Sequence, residues 1–250
     1  MKAVEISDAY LVRDSGTSDG SQDKYYQNRI WYKQDYYGGE GYCEYLSSSL
    51  LRVSRFDSSK FVSYREVNIN GIKGCESDDF LLDGEEFITL YRLYSNVKGG
   101  DIASVLQRMD YDDAIEYVLS FVREQTGLDI REYLANTFAL DRIIRNTDRH
   151  LNNIGVIFDG NTFRTAPIFD NGKSLLVGQN KKFEDFSVAE RIKHCQAKAF
   201  SPDFDLNYNY LKDASTIKID WDNLITFLNH EPENLHSNAL RYLITKYRYH

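Results

Sequence analysis

Proline is scarce: of 250 residues only Pro167, Pro202 and Pro232 are proline, so the first 166 are punctuated by glycine and by Asn/Asp/Ser clusters. Cysteine is equally rare, and Cys43, Cys75 and Cys195 lie far apart with no C-x-x-C spacing. An odd, scattered set of this kind implies neither a disulfide framework nor a zinc site, and a reducing compartment is the expectation. Basic residues are outnumbered, 30 Lys and Arg against 38 Asp and Glu, and the resulting net charge of −8 repels a polyanion. Direct nucleic-acid binding is therefore not expected. No uninterrupted apolar run reaches the roughly 18 residues of a membrane span. Met1-Lys-Ala-Val-Glu-Ile-Ser-Asp8 carries acids where a signal peptide needs an apolar stretch. A cytoplasmic protein without membrane contact is expected.

What is present is an ordinary globular composition, 42% hydrophobic and 27% charged, in a chain long enough for one large domain or two small lobes. Asp14 to Asp23 is a Gly/Ser/Asp cluster that reads as a flexible loop, and the aromatic, β-branched tract Arg29-Ile-Trp-Tyr-Lys33 after it reads as a strand. Between Glu40 and Val53 the apolar residues Cys43, Leu46, Leu50 and Val53 recur at helical spacing. Phe61–Ile69 and Ile72–Cys75, joined by Asn70-Gly71, predict a hairpin, and Glu86–Leu93 predicts a last strand closing the small sheet. Helical periods then dominate: Ile115 to Val122 behind Asp112-Asp113, Leu128 to Ile144, and the tail from Asp220. A second hairpin, Ile154–Phe158 and Thr162–Ile168 around Asp159-Gly160, interrupts them. The reading is an α+β protein with a β-rich first lobe, residues 1–95, and a mainly α second lobe, residues 96–250.

The stretch richest in chemistry is Arg145-Asn-Thr-Asp-Arg-His-Leu-Asn-Asn-Ile-Gly155, between a helix and the second hairpin. Asp148 and Asn153 are five positions apart, the separation that phosphoryl-transfer enzymes use for the group orienting the attacking hydroxyl and for a Mg²⁺ ligand. Asp170, in Phe169-Asp-Asn-Gly172, follows the hairpin as the second metal carboxylate would. One carboxylate and one amide oxygen suit Mg²⁺, a hard cation that fills its octahedron with phosphate oxygens and water. Asp, Asn and Gly are also common turn residues, and His150 taken alone reads as a structural hydrogen-bonding residue.

Asn146-x-Asp-Arg-His150, Asn153 and Phe169-Asp-x-Gly-x-Ser174 together resemble HipA-like kinases, relatives of a bacterial toxin with a bilobal protein-kinase-like fold. The resemblance is specific between Asn146 and Ser174 and looser over residues 15–180. It implies phosphorylation of serine or threonine dependent on ATP and Mg²⁺, with Asp148 as the catalytic base and Asn153 and Asp170 as metal ligands. It also implies a toxin–antitoxin setting with an antitoxin-like protein partner. In the first lobe, Gly20-Ser-Gln-Asp-Lys24 looks like the family's phosphate loop, with Ser21 as the serine that becomes phosphorylated and Gly20 and Lys24 beside the nucleotide. Lys33 matches the strand lysine on the phosphates and Glu44 its ion-pair partner, while backbone groups of Tyr91, Arg92 and Leu93 are placed at the adenine by order along the chain.

The chain departs from the family in two respects. HipA-like toxins often run longer and carry an additional N-terminal subdomain, and here Asn171 stands where Asp-Phe-Gly has an aromatic. Two other classes stay open at this level. One is a nucleotide-binding pseudokinase acting through partners, the other a small-molecule phosphotransferase of the aminoglycoside type, which shares the Asp-x4-Asn loop.

Overall fold

Asn28 and Arg29, at φ +53° and +61°, form the two-residue left-handed turn that the right-handed twist of a hairpin requires. They join β2 (Lys24–Gln27) to β3 (Ile30–Gln34), placing Lys24 directly opposite Lys33. Asn70 and Gly71, at φ +52° and +85°, make the same turn between β4 (Tyr64–Ile69) and β5 (Ile72–Asp78). With the short β1 (Lys2–Val4), these strands form a five-stranded sheet in the order β1-β4-β5-β3-β2, antiparallel except for the β1–β4 pair. The computed structural model describes residues 1–12, 22–179 and 183–248. The expected loop serine, Ser21, and Gly20 lie outside the described residues.

Helix α1 (Glu40–Val53) spans the residues its apolar period marks, and Cys43, Leu46 and Leu50 are fully buried along it. It packs on β4 and β5 on one side and reaches the helical layer on the other. That layer comprises α2 (Leu90–Lys98), α3 (Ile102–Leu106), α4 (Tyr111–Thr126), α5 (Arg131–Ile144), α6 (Val188–Lys193), α7 (Phe204–Leu211), α8 (Trp221–Asn229) and α9 (Leu235–Arg248). One apolar cluster runs from Leu46 and Leu50 through Leu134, Leu140 and Ile144 to Leu240 and Leu243, so the sheet lobe and the helical lobe share a core. Among the described residues no helix is long and apolar enough to cross a membrane.

The expected last strand of the first sheet is corrected. Only Glu86–Thr89 (β6) is strand, and it pairs with β7 (Gly155–Phe158), which in turn pairs with β8 (Phe163–Thr165) in a separate three-stranded sheet. The Thr89 hydroxyl accepts from the Arg92 N–H and caps α2, so the chain turns helical at Leu90. The sheets therefore change hands in the linker at residues 79–85, ahead of Glu86.

Candidate active site

Two glycines let α1 approach the sheet closely. A Cβ on Gly41 would sit 2.3 Å from the backbone carbon of Gly74, and one on Gly74 would sit 2.1 Å from the Lys33 carbonyl. Without side chains at both positions the helix settles against β5, one strand from β3, and Glu44 reaches Lys33. Lys33 Nζ lies 3.1 Å from Glu44 Oε1 and 2.9 Å from Asp170 Oδ1. Glu44 Oε2 accepts from the Asn171 backbone N–H at 2.8 Å, so a single helix residue touches both the strand lysine and the segment after β8. Asp170 is itself left-handed, at φ +60°, and its N–H donates to the Tyr64 hydroxyl at 3.3 Å.

From the helical side, α5 ends on Arg145 in the left-handed region, its N–H closing on the Asp141 carbonyl. The chain then folds into a braced loop. The Asn146 side-chain oxygen accepts from the Asp148 N–H at 3.0 Å, and the His150 N–H donates to the Asp148 carbonyl at 2.8 Å. The Asn153 N–H meets the His150 carbonyl at 2.8 Å, and the Asn153 amide donates to the Asp148 carbonyl at 3.2 Å. Arg149 is 2% exposed, bonds both Asp141 oxygens at 3.0 Å, and also donates to the Phe169 carbonyl and to Asn171 Oδ1. Its charge welds the Asp148 loop to the Asp170 segment through a buried, fully occupied pair.

Asp148, Asn153 and Asp170 line one cavity of about 630 Å³ together with Lys24, Lys173 and Lys198. Among the described lining residues three lysines face two aspartates, a formal balance of +1 in a chain of net charge −8. Burial works against ionised Asp170, but the Lys33 and Lys24 charges outweigh it and hold that carboxyl well below the usual range. Burial pushes Glu44 up, Lys33 does not fully offset it, and the Asp170 charge adds to the rise. Burial and the Lys33 charge opposite it lower Lys24.

The Asn153 side-chain oxygen is buried and left without a hydrogen bond among the described residues. Asn153 is 2% exposed, and its amide nitrogen does have a hydrogen-bond partner. An unpaired buried amide oxygen costs stability unless something binds it, and an oxygen facing a carboxylate-lined cleft suits a hard divalent cation. Among the described residues there is no group of three His, Cys, Asp or Glu that could hold a metal, so a metal here would rest on the Asp170 carboxylate and the Asn153 amide.

His150 is lowered by burial, so the folded protein holds fewer protons than the unfolded chain once pH falls below about 6.5. Its contribution is neutral above that value and destabilising below it. His150→Gln is therefore expected to bring the urea midpoints at pH 7.5 and 5.5 closer together than in wild type. Equal separations in the two proteins would assign the buried ring no part in acid sensitivity.

The structure brings Asp148, Asn153, Asp170, Lys33, Glu44 and Lys24 to one cleft, with Lys24 on strand β2 rather than in a loop. It does not bring Tyr91 and Leu93 there as a strand. Both lie in the first turns of α2, the Tyr91 N–H donates to the Leu151 carbonyl, and Leu93 is buried in the core. The Tyr91 and Arg92 backbone donors are engaged by the Leu151 carbonyl and the Thr89 hydroxyl. Sequence reasoning missed Asp141 and Asn171 as partners of Arg149; the Arg beside Asp148 was the available signal. It also missed Lys173 and Lys198, for which the sequence has no signal, because both arrive from other segments.

The fold and the cleft define a bilobal protein-kinase-like architecture, a β-sheet lobe over a helical lobe with the charged site between them. Among solved structures, the Helicobacter pylori proinflammatory kinase CtkA matches with TM-score 0.64 and 15% identity, over 98% of this chain and 93% of that one. HipA in the Shewanella oneidensis MR-1 complex of HipA, HipB and operator DNA matches with TM-score 0.51 and 12% identity, over 95% of this chain and 61% of that one. This chain thus has the HipA-like kinase fold and spans less than two thirds of the HipA chain. No family model matches the sequence, and neither does any curated protein.

Proposed function

We propose that this chain is a cytoplasmic kinase that moves the terminal phosphoryl group of ATP to a serine or threonine hydroxyl of a protein, its own phosphate loop included. The observation that carries the reading is the cleft holding Asp148, Asp170, three lysines and the unpaired Asn153 oxygen. Mg²⁺, when bound, supplies charge neutralisation on the phosphates, and Asp170 and Asn153 would hold it. Lys33 meets the phosphates from the sheet lobe and Glu44 keeps its ammonium in place. Asp148 orients the acceptor hydroxyl and takes its proton. In this reading adenine lies against the linker at residues 79–85, which joins the five-stranded sheet to the three-stranded one.

The intact acidic set weighs against a pseudokinase. A second cavity, about 640 Å³, meets the first at His150 and Lys198; none of its described lining residues is Asp or Glu, so a cationic drug-like acceptor finds no counter-charge among them. The likeness to HipA in complex with HipB motivates an antitoxin-like protein partner for this chain as well.

Incubation with ATP and Mg²⁺ followed by peptide mapping tests the proposal. Phosphate is expected between Asp14 and Lys24, first at Ser21. Ser21→Asp should bind ATP more weakly than Ser21→Ala, because like charge near the phosphates opposes the nucleotide. Asp148→Asn should lower transfer by about 10²- to 10⁴-fold while leaving Mg²⁺-ATP affinity within a few-fold. A wild-type protein that phosphorylates neither itself nor any Ser/Thr peptide would overturn the reading, and an affinity loss in Asp148→Asn as large as its rate loss would move Asp148 among the metal ligands.

A further inference from the structure

Transfer of a phosphoryl group spreads negative charge over its three equatorial oxygens, and that charge needs cations on the acceptor side as well as on the nucleotide side. From the sheet lobe Lys33 serves the nucleotide side. On the acceptor side the group nearest the reacting atoms is Asp148, a carboxylate that repels the incoming phosphate. The loop around it offers little compensation: Arg149 is committed to Asp141, Asn171 and the Phe169 carbonyl, and burial disfavours a charge on His150.

Lys198 fills that position. Its ammonium pairs with Asp148 Oδ1, its side chain is 52% exposed, and it lines both cavities at their junction. The segment carrying it is built rather than loose. The Ala197 N–H donates to the Pro202 carbonyl at 2.9 Å. Asn207 accepts from the Ser201 N–H at 3.2 Å and donates back to its carbonyl at 3.0 Å. Phe200 packs edge-on against Phe138 of α5, with ring centroids 5.7 Å apart. Ala199, next to the lysine, is held at φ +77°, a conformation an alanine adopts only when its surroundings impose it.

We propose that Lys198 is the acceptor-side cation of this site, paired with Asp148 before transfer and with the moving phosphoryl oxygens during it. The inference rests on the phosphoryl-transfer reading above. In the step, the acceptor oxygen forms a bond to the terminal phosphorus, the bond from that phosphorus to the bridging oxygen breaks, and its electron pair leaves with ADP. The hydroxyl proton passes to the Asp148 carboxylate. As Asp148 becomes neutral its hold on Lys198 weakens, and the ammonium, which keeps its own proton throughout, shifts to the phosphoryl oxygens.

Lys198→Met and Lys198→Arg in the full chain test this, with kcat, KM for ATP, and affinity for Mg²⁺-ADP with and without aluminium fluoride, which mimics the planar group in transfer. The Met variant is expected to lose on the order of 10²- to 10³-fold in kcat, with KM for ATP within about threefold. The Arg variant should keep at least about a tenth of wild-type kcat, since charge and reach are retained. Aluminium fluoride should tighten ADP binding in wild type and in the Arg variant but not in the Met variant. A Met variant as fast as wild type overturns the proposal, and a faster one makes the Asp148 pair an inhibitory latch instead. Equal loss of plain ADP affinity also overturns it, because the lysine would then act on ground-state binding. If wild type itself neither binds Mg²⁺-ATP nor transfers phosphate, the kinase reading falls; an active wild type beside an unaffected Met variant sinks the Lys198 role alone.

Discussion

Asp170→Asn is expected to lower phosphoryl transfer on the order of 10³-fold or more while leaving the fold intact. The amide has nearly the volume of the carboxylate and still offers an oxygen to Lys33, but it withdraws a full charge from the metal and phosphates. The buried trio of Lys33, Glu44 and Asp170 carries a formal net charge of −1 and becomes neutral in the variant. Repulsion between the Asp170 and Glu44 carboxylates disappears at the same time, but so does the Lys33–Asp170 ion pair that holds the carboxyl low, so the melting temperature should fall modestly while the fold persists. Asn153→Ala should act in the same direction more mildly, because water can replace a neutral ligand. Transfer by Asp170→Asn at the wild-type rate would refute the metal assignment.

Lys33→Met is expected to have the largest effect on stability, a loss of about 3–5 kcal/mol, because it breaks a buried pair by removing one partner. The Lys33 side chain is 12% exposed, Glu44 2% and Asp170 19%, so the two carboxylates left behind have little access to water. Adding Glu44→Gln to Lys33→Met removes one of the stranded charges and should return more than half of the lost stability, yet no transfer, since nothing then meets the phosphates from the strand. Denaturant midpoints of the two variants and wild type, beside their transfer rates, read both effects. Simple additivity of the two substitutions would show that Lys33 and Glu44 are not coupled, contrary to their 3.1 Å contact.

In this chain the clamp between the sheet lobe and the helical lobe is mostly polar. Asn171 bonds Arg149 with its side chain and Glu44 with its backbone, so one buried residue links α1, the Asp148 loop and the Asp170 segment. That arrangement gives Asn171 a structural use where typical kinases have an aromatic. The neighbouring Phe169 supplies the apolar packing instead, edge-on against Phe87 at 5.3 Å.

The sequence by itself determined what depends on local period and local turn chemistry. Helix α1 is legible from Cys43, Leu46 and Leu50 because one apolar face at helical spacing must be buried. The hairpins at Asn70-Gly71 and Asp159-Gly160 are legible because those residues tolerate the backbone the turns require. Asp148, Asn153 and Asp170 are legible because a short loop and a short hairpin fix their spacing. The tertiary structure alone decided the rest. Glu86–Leu93 has a strand-like composition throughout, yet strand gives way to helix at Leu90 because the Thr89 hydroxyl caps a helix there and β6 finds its partner in β7, some 70 residues on. Lys173 and Lys198 reach the cleft from segments with no motif, since which surface lysines converge on a cavity depends on how loops pack against α1 and α5, a long-range outcome that no window of sequence encodes.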